Sequence, residues 1–302
     1  MAHEIILHHY DTSPFSEKPR VMFGLKGLAW RSVIQPVIMP KPDLIPLTGG
    51  YRRIPVMQIG ADIYCDSEVI LAELEARQPQ PKVVQPGDWA WNDKADGPWF
   101  QATVVVVFSG IGDAVPKEFI ADREKLSGRP FDTSGMKAAE PYMRQQWRAF
   151  AQELDAGLEG RDFLGGSSAS LADVAAYMNV WWLRGAARDA TAELLDGLPR
   201  AQAWRERIAA VGHGERRDMT PAEALEAARA AEPAAAPTHQ ANAEGLAPGA
   251  AVTVSADDYG RDPIAGTLVA TTADRIIIAR KAGDLGTLHV HFPRSGYVLA
   301  AA

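Results

Sequence analysis

Residues 5–28 read Ile5-Ile6-Leu7-His8-His9-Tyr10-Asp11-Thr12-Ser13-Pro14-Phe15-Ser16-Glu17-Lys18-Pro19, then Arg20 to Leu28 as RVMFGLKGL. The apolar run Ile5-Ile6-Leu7 stops at the turn-forming Asp11-Thr12-Ser13-Pro14, which marks a short buried strand. Residues 14–28 then place Val21, Met22, Leu25 and Leu28 on one helical face, with Gly27 near the end. A second strand is expected over Ser32–Val37, followed by a Pro- and Gly-rich loop from Pro40 to Gly50. Ile54–Ile59 and Asp62–Tyr64 flank Gly60-Ala61 and read as a hairpin. Asp66 or Ser67 caps a helix bearing Val69, Ile70, Leu71 and Leu74, which ends before Pro79. The order β-α-β then β-β-α predicts an α/β domain over residues 1–80, a mixed sheet with helices on its faces.

Working outward, residues 86–231 change to a helical texture and predict an all-α bundle. Trp89–Phe108 reads as one long helix and Met136–Leu158 as another, with Trp147, Phe150 and Leu154 at core spacing. Between them, residues 113–135 contain Pro116, Gly128, Pro130 and Gly135 and read as a long excursion. Ser170-Leu171-Ala172-Asp173 is a capping-box variant that opens a further helix. Two more helices start near Pro199 and Pro221. Residues 232–247 are Ala- and Pro-rich and read as a linker. Residues 248–302 hold five short strands (251–254, 266–271, 275–279, 287–292 and 297–299) and suggest a small all-β domain, an SH3-like barrel.

Composition narrows the function. The 302 residues are 47% apolar, 23% charged and carry a net charge of −7, so no general basic bias favours nucleic acid or an anionic membrane. The longest apolar stretch, Ala102–Ile111, is about half a membrane span. One cysteine, Cys65, allows no internal disulfide, in keeping with a reducing compartment. The first residues lack a basic region followed by an apolar one. We expect a soluble, cytoplasmic protein with no membrane or nucleic-acid partner.

Three motifs carry the chemistry: Ser13-Pro14-Phe15-Ser16-Glu17-Lys18, Arg53-Ile54-Pro55-Val56 and Asp66-Ser67. Together with Ser170-Leu171-Ala172-Asp173-Val174 they fall in the order and spacing of the glutathione transferases, which residues 3–212 resemble. The resemblance does not reach residues 248–302. It implies a thioredoxin-like domain joined to a helical domain, a serine-type site, glutathione as co-substrate, a small apolar electrophile between the domains, and a homodimer. A free thiol ionises near pH 8.5, so Ser13, donating to sulfur at the start of a helix, would stabilise the thiolate. Phe15 lies in the same motif. The resemblance makes the Ile54–Pro55 bond cis and gives the Ile54 backbone to the cysteinyl unit. Arg53 or Arg52 would meet a carboxylate, and Asp66 and Ser67 the γ-glutamyl end.

Each of these residues also has a plain structural role: Ser13 as an N-cap, Arg52-Arg53 as a solvated basic pair. Serine at both 13 and 16 rules out dithiol exchange. Pro19 stands where a helix interior normally donates an N–H and threatens to move Ser13 off the helix end. Tyr10 is an alternative thiol-activating hydroxyl, and Cys65 a small packed residue. His289 and His291 share a strand face but lack a third ligand, so no metal is expected. If the site is silent, the chain is a binding or assembly protein acting through its β-module.

Overall fold

The computed structural model describes residues 3–302. Its first layer is β1 (Ile6–His9), α1 (Pro14–Leu25), β2 (Ala29–Ile34), α2 (Ile45–Thr48), β3 (Val56–Ile59), β4 (Asp62–Cys65) and α3 (Ser67–Arg77). β1 runs parallel to β2 and antiparallel to β3, and β3 antiparallel to β4. β2 starts three residues before the expected Ser32, because residues 215–218 pair with it from Ala29 onward, and it ends at Ile34, the last residue of its ladder to β1. β3 starts at Val56 rather than Ile54, since Pro55 has no N–H to give to a ladder. Alternation sends Met57 and Tyr64 into one core and Val56, Ile63 and Cys65 into another, so both faces of this hairpin are covered.

The helical part comprises α4 (Asp88–Lys94), α5 (Phe100–Ile111), α6 (Lys117–Ser127), α7 (Thr133–Gly157), α8 (Leu171–Ala186), α9 (Arg188–Leu194) and α10 (Pro199–Val211). The single helix expected over Trp89–Phe108 is two helices. A wide turn at Ala95–Trp99 separates them, with Gly97 at φ −96°, ψ −106° and Pro98 beside it. The excursion expected at 113–135 contains α6, entered through Pro116 and closed by Gly128 in the left-handed conformation. Asp132 caps α7 by accepting from the N–H groups of Ser134 and Gly135. The Ser170 capping box forms as expected, and Asp173 also accepts from Trp204 Nε1 at 2.7 Å, tying α8 to α10.

Two elements in the helical stretch belong spatially to the sheet. β5 (Glu215–Asp218) pairs parallel with β2, and α11 (Pro221–Arg229) packs Ala224 against Ile6 and Val33. Residues 230–250 have no regular structure but are bonded to the sheet: Ala234 N–H to Asp62, and Gln240 N–H to the Thr271 carbonyl.

The five C-terminal strands are present as β6 (Ala251–Ala256), β7 (Ile264–Thr271), β8 (Arg275–Lys281), β9 (Thr287–Pro293) and β10 (Tyr297–Ala301). They do not close into the expected SH3-like barrel. The order is β10-β6-β7-β8-β9-β4-β3-β1-β2-β5, one ten-stranded sheet in which β9 pairs parallel with β4. The cause is a shared core: Val252, Ile278, Val290 and Phe292 pack with Leu47, Val56 and Ile63. The strands bury their apolar face on the first domain as well as on one another.

Candidate active site

The site begins at the turn between β1 and α1. Ser13 is the N-cap of α1, extended at φ −77°, ψ 120°, and its Oγ accepts from Ser16 N–H at 3.2 Å. A hydroxyl that accepts in this way keeps its own proton to donate. Pro19 lies inside α1 without breaking it, so the helix starts at Pro14 and Ser13 stays at its positive end. Arg20, about two turns into α1, is buried and braces the turn. It donates to Glu17 at 2.9 Å, to His9 Nδ1 at 3.1 Å, and to the carbonyls of Asp11 and Ser13 at 3.0 and 3.4 Å. His213 closes the network on Glu17 at 2.9 Å. Sequence reasoning missed this brace.

Ser13, Phe15 and Ile54 face a cavity of about 470 Å³ between the first domain and the helices. The Ile54–Pro55 bond is cis, as the resemblance implied. The opposite wall is aromatic. Phe15 meets Phe100 edge-on at 4.7 Å, Phe100 stacks on Trp182 at 5.5 Å, and Phe108 packs on Phe119 and Phe131 at 5.7 and 4.9 Å. Phe119 and Phe131 come from the stretch read as an excursion. α6 is mostly polar, with Leu126 alone of its residues buried, so its few apolar residues set up little periodicity.

Tyr10 also lines the cavity, and burial raises its phenol above the ordinary value. It therefore remains a protonated donor rather than a phenolate. Lys41, Arg52 and Arg123 form a cationic corner of the same cavity, with Asp122 bridging the two arginines. Burial pushes the Lys41 ammonium down to about 8.

Arg53, Asp66 and Ser67 sit differently. Arg53 borders the cavity but its guanidinium is committed to Asp258 at 3.0 Å and the Tyr297 hydroxyl at 3.0 Å. Asp66 caps α3 at φ 97°, accepting from Glu68 N–H at 3.0 Å. Its second oxygen accepts from the Tyr297 hydroxyl at 3.0 Å. Ser67 is 3% exposed, and neither Asp66 nor Ser67 lines the cavity. Asp258, Tyr259 and Tyr297 are the site's unforeseen members. They lie more than 200 residues from Arg53 in sequence, and no local pattern marks them.

His289 and His291 lie together on β9 and turn to Asp62, at 3.8 and 2.8 Å. Among the described residues no group of three or more His, Cys, Asp or Glu could hold a metal ion. Cys65 is buried and burial pushes its thiol well up, so it has no nucleophilic character. Among the described residues no helix is long and apolar enough to cross a membrane.

A thioredoxin-like sheet, a following helical domain and a capped serine facing the cleft between them define a glutathione-transferase architecture. Residues 7–82 match the family model for the glutathione S-transferase N-terminal domain, and residues 113–207 that for the C-terminal domain. The chain belongs to the glutathione S-transferase family. It is 35% identical to a crystal structure of a GST-like protein from Pseudomonas syringae, with a TM-score of 0.82 over 99% of this chain and 100% of that one. That coverage includes the C-terminal strands. A Tau class glutathione S-transferase from mango is 17% identical, with a TM-score of 0.53 over 68% of this chain and 89% of that one. A glutathione S-transferase from Methylobacterium radiotolerans, solved with glutathione sulfonate, is 21% identical, with a TM-score of 0.50 over 68% and 91%. No curated protein matches the chain significantly.

Proposed function

We propose that the protein is a glutathione transferase that activates the glutathione thiol for attack on a small apolar electrophile. The observation that carries this reading is Ser13, capping α1 and lining the same aromatic cavity as Ile54. In this reading the Ser13 hydroxyl donates to the thiolate, the Ile54 backbone pairs with the cysteinyl unit, and Asp66 and Ser67 hold the γ-glutamyl end. The thiol gives up its proton to solvent, and the thiolate forms a C–S bond to the electrophile packed against Phe108, Phe119 and Trp182. Either the bond to an anionic leaving group breaks, or the π bond of an activated alkene opens and its carbon takes a proton from solvent. The cationic corner of Lys41, Arg52 and Arg123 suits a carboxylate. The reading carries a homodimer, as the resemblance implies, and the cytoplasmic location expected from the single cysteine.

Calorimetric titration of glutathione tests it. Ser67→Ala should weaken binding about tenfold, the value of a hydrogen bond to a charged group. Ser13→Ala should retain most binding but lose about a hundredfold in conjugation of generic electrophiles. Absence of glutathione binding by the unmodified protein would sink the proposal. A second reading, a binding protein without turnover, is favoured by one observation, the Tyr297 contact on Asp66. Glutathione binding with no turnover, unaffected by Ser13→Ala, would select it.

A further inference from the structure

Asp66, which the proposed reading gives to the γ-glutamyl end, and Arg53, which shares the Tyr297 hydroxyl with it, are already engaged by the chain's own C-terminal segment. Tyr297, at the start of β10, donates its hydroxyl to Asp66 Oδ2 and accepts from Arg53 Nη2, both at 3.0 Å. Asp66 Oδ1 is taken by the N–H of Glu68, so neither oxygen of this carboxylate is unengaged. Asp258, in the turn between β6 and β7, receives Arg53 Nη1 on both oxygens at 3.0 Å. The rings of Tyr51, Tyr259 and Tyr297 surround the guanidinium at 5.5, 4.9 and 5.7 Å. The turn is fastened on its far side, where Gly260 N–H donates to the Leu126 carbonyl at 2.8 Å.

We propose that Tyr297 and Asp258 are an internal competitor for the γ-glutamyl end of the thiol substrate, and so set its affinity and specificity. The proposal rests on the reading in which Asp66 and Ser67 hold that end. An α-ammonium approaching Asp66 Oδ2 meets the Tyr297 phenol on the same oxygen. A carboxylate seeking Arg53 meets a guanidinium already paired with Asp258. A thiol without the γ-glutamyl arm displaces neither contact, because Ser13 and Ile54 open directly on the cavity.

The test titrates full-length protein, Tyr297→Phe and Asp258→Asn with glutathione and, separately, with cysteinylglycine. Tyr297→Phe keeps the ring and removes only the hydroxyl. Asp258, half-exposed, supplies a second variant that does not disturb the core. Each variant should bind glutathione more tightly, about fivefold for Tyr297→Phe, the worth of one hydrogen bond. Cysteinylglycine affinity should not change. Unchanged or weaker glutathione binding in Tyr297→Phe overturns the competitor, and so does an equal gain for both thiols. In those cases, binding by the unmodified protein that Ser67→Ala weakens leaves the glutathione reading standing. Failure of all three proteins to bind glutathione overturns both.

Discussion

Single residues around β1 are held in protonation states that the fold selects. His8 is fully buried, its Nε2 donating to Gln58 at 2.9 Å and its Nδ1 accepting from Gln35 at 3.2 Å. Burial pushes its imidazolium down to about 4. The unfolded chain takes up a proton at this residue near pH 6.5, whereas the folded chain does not until about pH 4. Between those values the unfolded state binds more protons, so His8 removes stability as pH falls, in total about 3 kcal/mol. Urea midpoints of the protein and His8→Gln, followed from pH 7.5 to 4.5, should show the unmodified protein losing ground to the variant. Parallel curves would contradict the assignment. At this scale the sequence was readable where partners are local. Ser13 and its bond to Ser16 lie within one motif. The partners of Arg53 do not, because Asp258 and Tyr297 reach it only through the folded sheet.

At the scale of elements, the turn between β6 and β7 works as a clasp between two domains, touching Arg53 on one side and α6 on the other. It depends on Gly260, at φ +61°, where an added Cβ would lie 2.8 Å from Leu126 Cδ1. Gly260→Ala should therefore destabilise the protein by about 1–2 kcal/mol, the cost of a left-handed alanine. Chemical denaturation measures it, and a neutral substitution would show that the clasp carries no strain. Sequence reasoning missed four elements: α2, which lies in the stretch read as a Pro- and Gly-rich loop, α9, β5 and α6. β5 is a short, exposed edge strand made wholly of charged residues, Glu215-Arg216-Arg217-Asp218, and such edges carry no apolar signal. α6 turns its apolar residues to a cavity, and of its residues only Leu126 is buried.

For the whole molecule, the ten-stranded sheet joins what reads as two separate modules into one cooperative body. Val56, Ile63 and Cys65 of the first domain share a core with Val290 and Phe292, and Arg275 pairs with Glu73 of α3 at 2.7 Å. Calorimetric unfolding should therefore show the C-terminal strands melting together with the first domain. An independent, separable transition for residues 248–302 would refute that coupling. The same union brings Tyr297 to Asp66, so the competitor and the cooperativity have one origin.

The sequence by itself determined the local grammar: a strand, a proline-led helix capped by Ser13, a hairpin after Ile54-Pro55, the Asp66-Ser67 cap, the Ser170 box and five terminal strands. These depend on spacing over a few residues, which is what periodicity, caps and turn chemistry report. Tertiary structure alone decided where the terminal strands went. A strand whose apolar face suits either a barrel or a neighbouring sheet reads the same in both. The choice was made by the free edge of β4 and the apolar face of β3 and β4, which β9 and its neighbours cover.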